Sequence, residues 1–375
     1  MKLEQKQWKG DWIPSRQSNL GDKADLLLVF GDTELLKSGK QLEELRAIYP
    51  KAHQFGCSTS GEIFEASISD DTLSTVAIQF EKTRIAHAQI HLSTVKSSFE
   101  AGEKLARELR HEGLTHVLVL TVGIDVNGEK LVKGLSSVLP SSVSITGGLA
   151  GDKERFKETF VISDGAPQND LVAVVGLYGD AIKVGYASLG GWDPFGPERL
   201  ITKSNGNVLY ELDGKSALEL YKSYLGKHAA ELPASAQYFP LSLSLKEGDP
   251  GIVRTILTVD EKAQSMTAAA DLPEGGRVRM MKTNLDRLIL GARGAAERAT
   301  MMKPQLALLI SCVGRRMVLK QRAEEEVEQA REVFGNDAIL TGFYSYGEIS
   351  PLTPNAKCEL HNQTMTITTL SEVLD

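Results

Sequence analysis

The sequence predicts an α/β fold in which repeated strand–helix–strand units form mixed sheets, with a smaller α/β module in the middle. Three observations carry this. The segment GCSTSGEI at Gly56–Ile63 recurs as GFYSYGEI at Gly342–Ile349, with a weaker echo, GGLAGD, at Gly147–Asp152. Each copy follows an apolar run: LLLVF at Leu26–Phe30, HVLVLTV at His116–Val122 and LALLIS at Leu306–Ser311. Run and Gly segment are separated by roughly 25–30 residues, about the length of one strand–helix–strand unit. Each Gly segment also ends in an acid, so backbone and acidic groups from separate copies are expected to converge on one place.

Taken in order, residues 1–24 are polar with scattered aromatics and predict an irregular arm. An N-terminal half spans residues 25–170. Its first apolar run predicts a buried strand. Leu42, Leu45 and Ile48 then recur at helical spacing until Pro50 stops the helix. Thr75–Phe80 and Ile85–Ile90 alternate as antiparallel strands do, and Phe99–His111 is amphipathic. A middle module is expected over residues 171–281. It opens with LVAVVGLY and AIKVGYASL joined near Asp180, and continues with a helix marked by Leu218, Tyr221 and Leu225. Residues 282–375 form a C-terminal unit packing with the N-terminal half. It comprises a helix over Thr283–Met302, a strand at Leu306–Ser311, a helix over Leu319–Phe334, a strand at Ala338–Tyr344 and a last strand near His361–Leu370.

Composition narrows the function. The chain has 375 residues, 42% hydrophobic and 24% charged, in the ordinary range of globular proteins. A net charge of −7 argues against a nucleic-acid partner. Three scattered cysteines argue for a reducing compartment rather than a disulfide framework. The N-terminus lacks a signal-peptide apolar core, and no run approaches membrane-span length, so a cytoplasmic location without membrane contact is expected.

Among residues that carry chemistry, the Gly segments come first: Gly56 with Ser60 and Glu62, Gly147 and Gly148 with Asp152, and the last copy with Tyr346 and Glu348. Glycine after a strand permits positive φ and close approach of a ligand. The acids either hold a ligand amine or cap nearby amides. No phosphate loop and no Gly-x-Ser-x-Gly elbow is present. Cys57, inside the first segment, is either an inert buried thiol or a nucleophile. His53, four residues upstream on a strand, stands about 13 Å away, too far to activate it. The seven histidines match no zinc motif. His361, Asn362 and Gln363 open an apolar strand, and either contact a ligand or satisfy backbone. Trp192, in GGWDPFGP, marks a pocket lip or a rigid joint.

GCSTSGEI, GFYSYGEISP and the closing LHNQTM, together with GWDPFGPERLITKSNGNVLYELDGKSALELYKSYLG between them, resemble the FIST domain of bacterial sensory proteins over about Asp25–Leu370. The resemblance implies binding of a small ligand rather than catalysis, with the signal passed to a separate histidine kinase or cyclic-di-GMP enzyme. It extends to stand-alone NosP-type proteins, which bind haem and report nitric oxide. Under that reading haem b is the cofactor, with His361 as the candidate axial ligand. The competing reading is a Cys-dependent hydrolase or transferase built on Cys57.

Overall fold

The computed structural model describes residues 1–246, 249, 251–300, 303–353 and 356–374. Three six-stranded sheets, one per repeat, surround a common core, and a separate eight-stranded sheet carries the middle module. Each unit opens with a parallel pair joined through helix: Leu26–Gly31 with His53–Ser58, Leu114–Thr121 with Ser144–Leu149, and Leu306–Cys312 with Ile339–Ser345. Strand alternation explains the apolar runs. Leu26, Leu28 and Phe30 share the central core with Leu118, Leu120, Leu306, Leu308 and Ile310. The intervening Val29, Val119 and Leu309 face three separate helix-covered clusters. Both faces are therefore buried, as a continuous apolar strand requires. Side-chain caps set the helix starts: Ser97, Asn127 and Asn284 each accept a hydrogen bond from the amide three residues on.

The units interlock by exchanging strands in a ring. After each Gly segment a short strand crosses to a neighbour. Glu62–Phe64 pairs with the third unit, Val161–Ser163 with the first, and Gly347–Pro351 with the second. A returning strand, Leu73–Gln79, Leu171–Tyr178 or Met365–Glu372, then lies antiparallel beside the unit's first strand. The strand after that leaves again. Arg84–His91 joins the second sheet and Ile182–Leu189 the third. The N-terminal strand Lys2–Trp8 fills the corresponding place on the first sheet. The ring closes where the Met1 ammonium meets Glu372 at 3.1 Å.

Two expectations need correction here. The N-terminal residues are not an irregular arm, because Lys2–Trp8 supplies the missing ring strand. LVAVVGLY and AIKVGYASL pair within the second and third sheets, so the separate module starts at Asp193 rather than at residue 171. Burial is the reason: every residue of Leu171–Tyr178 is enclosed. The module itself runs from Asp193–Asn205 to Arg277–Lys282, around the helix Ala217–Leu225 and its own core of Leu209, Leu218, Tyr221, Met266 and Val278. The expected helix over Thr283–Met302 is present as Leu285–Ala299, and Met301 and Met302 lie outside the described residues.

Candidate functional site

The Gly segments do converge. The Gly151 amide donates to the Ser58 carbonyl (2.9 Å), the Ser60 amide to Tyr344 (2.8 Å) and the Tyr346 amide to Leu149 (3.2 Å). What they form is a packed backbone junction rather than a cleft. The glycines answer a steric demand from the neighbouring strand. A Cβ at Gly56, Gly147 or Gly342 would lie 1.9, 1.8 and 1.8 Å from the carbonyl oxygens of Val29, Val119 and Leu309. Gly147 and Gly342 also hold φ near +152° and +153°. At Gly148 a Cβ would meet Ile310 at 2.9 Å. These positions therefore bring parallel strands together and do not open the backbone to a ligand.

The two glutamates are equivalent by partner as well as by sequence. Glu62 accepts from the Thr59 hydroxyl and from the Thr72 hydroxyl (2.6 Å) and amide (3.3 Å). Glu348 accepts from the Ser345 hydroxyl (2.7 Å) and from the Thr364 hydroxyl (2.9 Å) and amide (3.2 Å). Both are fully enclosed, and burial pushes each carboxyl up to about 8. They pin the turns that link each parallel pair to its returning strand, and their oxygens are occupied by these hydrogen bonds. Asp152 lies outside this pattern. It accepts from Thr33, from Arg155 Nε (2.6 Å) and from the Lys157 and Glu158 amides, ordering the loop that follows.

Cys57 is wholly buried in the central core, which denies a substrate access, and that burial pushes its thiol well up, against the nucleophilic thiolate. His361 does not fit an axial haem ligand. Its Nε2 donates to the Ser350 carbonyl at 2.8 Å, the ring is enclosed, and burial pushes it down to about 4. His116 is likewise committed, with ring nitrogens on Ser144 and Thr146.

A cavity of about 290 Å³ lies instead where the third unit meets the middle module. Cys312, Val313, Gly314 and Met317 form one wall, directly after the third unit's first strand. Leu232, Pro233, Gln237, Thr255, Ile256 and Ala269 of the module form the opposite wall, and Phe156, Tyr346 and Asn362 complete it. Phe156 and Tyr346 stack at 4.5 Å, and the Tyr346 hydroxyl donates to the Lys153 carbonyl (3.1 Å), fixing that side. The walls are mainly apolar, yet Asn362 Oδ1 and Thr255 Oγ1 are enclosed without a hydrogen-bond partner. An unpaired buried polar group costs roughly 1–3 kcal/mol, so a small side-chain adjustment that lets either group meet a polar guest is favoured. Cys312 is likewise poorly placed for nucleophilic chemistry. Burial first, and the nearby Glu348 second, push its thiol far up.

Behind the cavity sits the joint between module and ring. Trp192 Nε1 donates to the Gln363 carbonyl at 2.8 Å. Arg315, fully buried, pairs with Glu326 at 2.7 Å and donates to the carbonyls of Gly190 (2.5 Å) and Leu288 (2.8 Å). Two residues past the strand Cys358–His361, Gln363 takes φ +60°, and Asn362 between them lines the wall. The Gln363 side-chain amide presses on Gly314, where a Cβ would stand 2.5 Å away.

Of the residues singled out in the sequence, Tyr346 and Asn362 thus line the cavity, and Trp192 and Gln363 hold the joint behind it. Gly56, Cys57, Ser60, Glu62, Gly147, Gly148, Asp152, Glu348 and His361 do not line it. Sequence reasoning missed Phe156, Thr255, Gly314 and Met317, which are distant in the chain and share no motif. A larger cleft of about 740 Å³ borders Arg254 and Cys358, but its buried guanidinium is already paired with Glu129 and the Leu360 carbonyl.

The FIST N domain matches residues 25–215 and the FIST C domain residues 217–351. An uncharacterized protein of Methanocaldococcus jannaschii is 22% identical over 357 residues, covering 88% of this chain and 67% of its own. A chorismatase crystal structure aligns over 98% of both chains at 9% identity, but its TM-score of 0.35 makes it uninformative about this protein. The two matched domains span nearly the whole chain, and the protein belongs to the FIST family, whose domains are linked to sensing in signal transduction.

Proposed function

We propose that this protein binds a small amine-bearing molecule of amino-acid size in the cavity between the third unit and the middle module. It acts by binding, without turnover. It passes the signal, in the cytoplasm, to a separate histidine kinase or cyclic-di-GMP enzyme. The observation that carries the reading is a mainly apolar cavity walled by both bodies, two of whose lining residues hold a buried polar atom without a hydrogen-bond partner, Asn362 Oδ1 and the Thr255 hydroxyl. The volume lies at the lower limit of small-molecule sites, which favours a compact ligand. The absence of turnover is supported by the wall chemistry: its one cysteine is held protonated, and no histidine lines it. Because the walls belong to two bodies joined at Trp192 and Gln363, a ligand that contacts both biases their relative arrangement.

A thermal-shift screen of amino acids and small amines tests this. A ligand at a hundredfold excess over its Kd stabilises by about 2.7 kcal/mol. For a chain this long that amounts to a few degrees of Tm. Asn362→Leu, which removes the acceptor, and Met317→Trp, which fills the space, should each abolish the shift while leaving the ligand-free Tm near that of the parent. A shift unchanged in both variants would place the ligand elsewhere.

A further inference from the structure

Outside that cavity, three separate chain segments bring together a cluster that no motif revealed. His53 opens the strand His53–Ser58, Asp164 follows the crossing strand Val161–Ser163, and His87 lies on Arg84–His91 of the second sheet. One donor atom from each lies within 4.8 Å of the others. The His53 and His87 rings stack at 3.8 Å, 15° from parallel. His53 Nδ1 contacts Asp164 Oδ2, while Asp164 Oδ1 is fixed by the Gln54 amide at 2.8 Å. His53 is 5% exposed, and its Nε2 is enclosed without a partner. The protein alone therefore leaves this buried imidazole incompletely satisfied, although it is held by a carboxylate on one side and a second imidazole on its face.

We propose that His53, His87 and Asp164 form a binding site for a divalent transition-metal ion, with zinc the fitting probe. Two imidazole nitrogens and one carboxylate oxygen are a donor set that zinc accepts. Tetrahedral coordination at about 2.0–2.1 Å places donors roughly 3.4 Å apart. Donors within 4.8 Å reach that spacing when the exposed His87 ring turns out of its stack, while His53 and Asp164, whose Oδ1 the Gln54 amide holds, stay in place. The cluster is exposed at His87 and Asp164, which leaves a bound ion open there to water or an exogenous ligand. A bound ion ties the first unit's sheet to the second's across the ring.

The test uses the untagged, full-length native protein, stripped with chelator and re-equilibrated with zinc or cobalt. Wild type should retain one equivalent of metal after gel filtration and rise in Tm. With cobalt it should show visible ligand-field bands without a thiolate charge-transfer band. His87→Ala and Asp164→Asn, both at exposed positions, should keep the parental circular dichroism and lose affinity by about tenfold or more. Wild type that retains no metal would overturn the proposal. So would equal retention by His87→Ala, or a thiolate band assigning the metal to cysteine.

Discussion

Glu348→Gln separates a buried neutral carboxyl from a buried carboxylate. Glu348 is enclosed, and burial pushes its carboxyl from an ordinary 4.5 to about 8. The glutamine amide can keep the geometry: its oxygen takes the Thr364 hydroxyl and amide, and its nitrogen donates to Ser345 Oγ. What the variant lacks is the titration. Below about pH 4.5 the carboxyl is protonated in both folded and unfolded chains. Between about 4.5 and about 8 only the unfolded chain ionises, so the native state binds more protons and stability falls as pH rises. Above about 8 both states are ionised and the fall stops. A displacement of this size corresponds to about 5 kcal/mol at the limit. Chemical denaturation of wild type and Glu348→Gln across this range, at constant m value, measures it. The wild type should lose ground to the variant by several kcal/mol as pH rises. A difference that stays flat, or that grows in favour of wild type, would show an ionised Glu348 and refute the reasoning.

Four further outcomes are expected. Gly342→Ala and Gly147→Ala should each cost upward of about 3 kcal/mol, since the added methyl meets a backbone carbonyl at 1.8 Å; Gly214→Ala, with open space, should cost about 1 kcal/mol in the same denaturation assay. Arg315→Met should destabilise by about 3–5 kcal/mol by stranding Glu326, and a second change, Glu326→Gln, should recover part of it. In native protein neither Cys57 nor Cys312 should react with a thiol reagent on the time scale at which both react in denaturant. Glu62→Gln should reproduce the pH behaviour of Glu348→Gln, because its partners and displacement match.

The repeat itself was legible from the sequence alone. Buried parallel strands need continuous apolar runs, and their close approach demands glycine at Gly56, Gly147 and Gly342, so both features had to recur. The glutamates recurred for a related reason, each pinning the same turn through a hydroxyl three residues before it. What the tertiary structure decided was where these features lead. Strand exchange put Arg84–His91 and Ile182–Leu189 on the next unit's sheet, and hydrogen-bond pairing between distant segments leaves no local spacing to read. The same non-locality hid the cavity, whose walls come from residues 156, 255, 314 and 362, and the meeting of His53, His87 and Asp164. Motifs record what a residue must do for its own turn or strand. A site assembled from segments a hundred residues apart is set by how the sheets close, and only the folded ring holds that information.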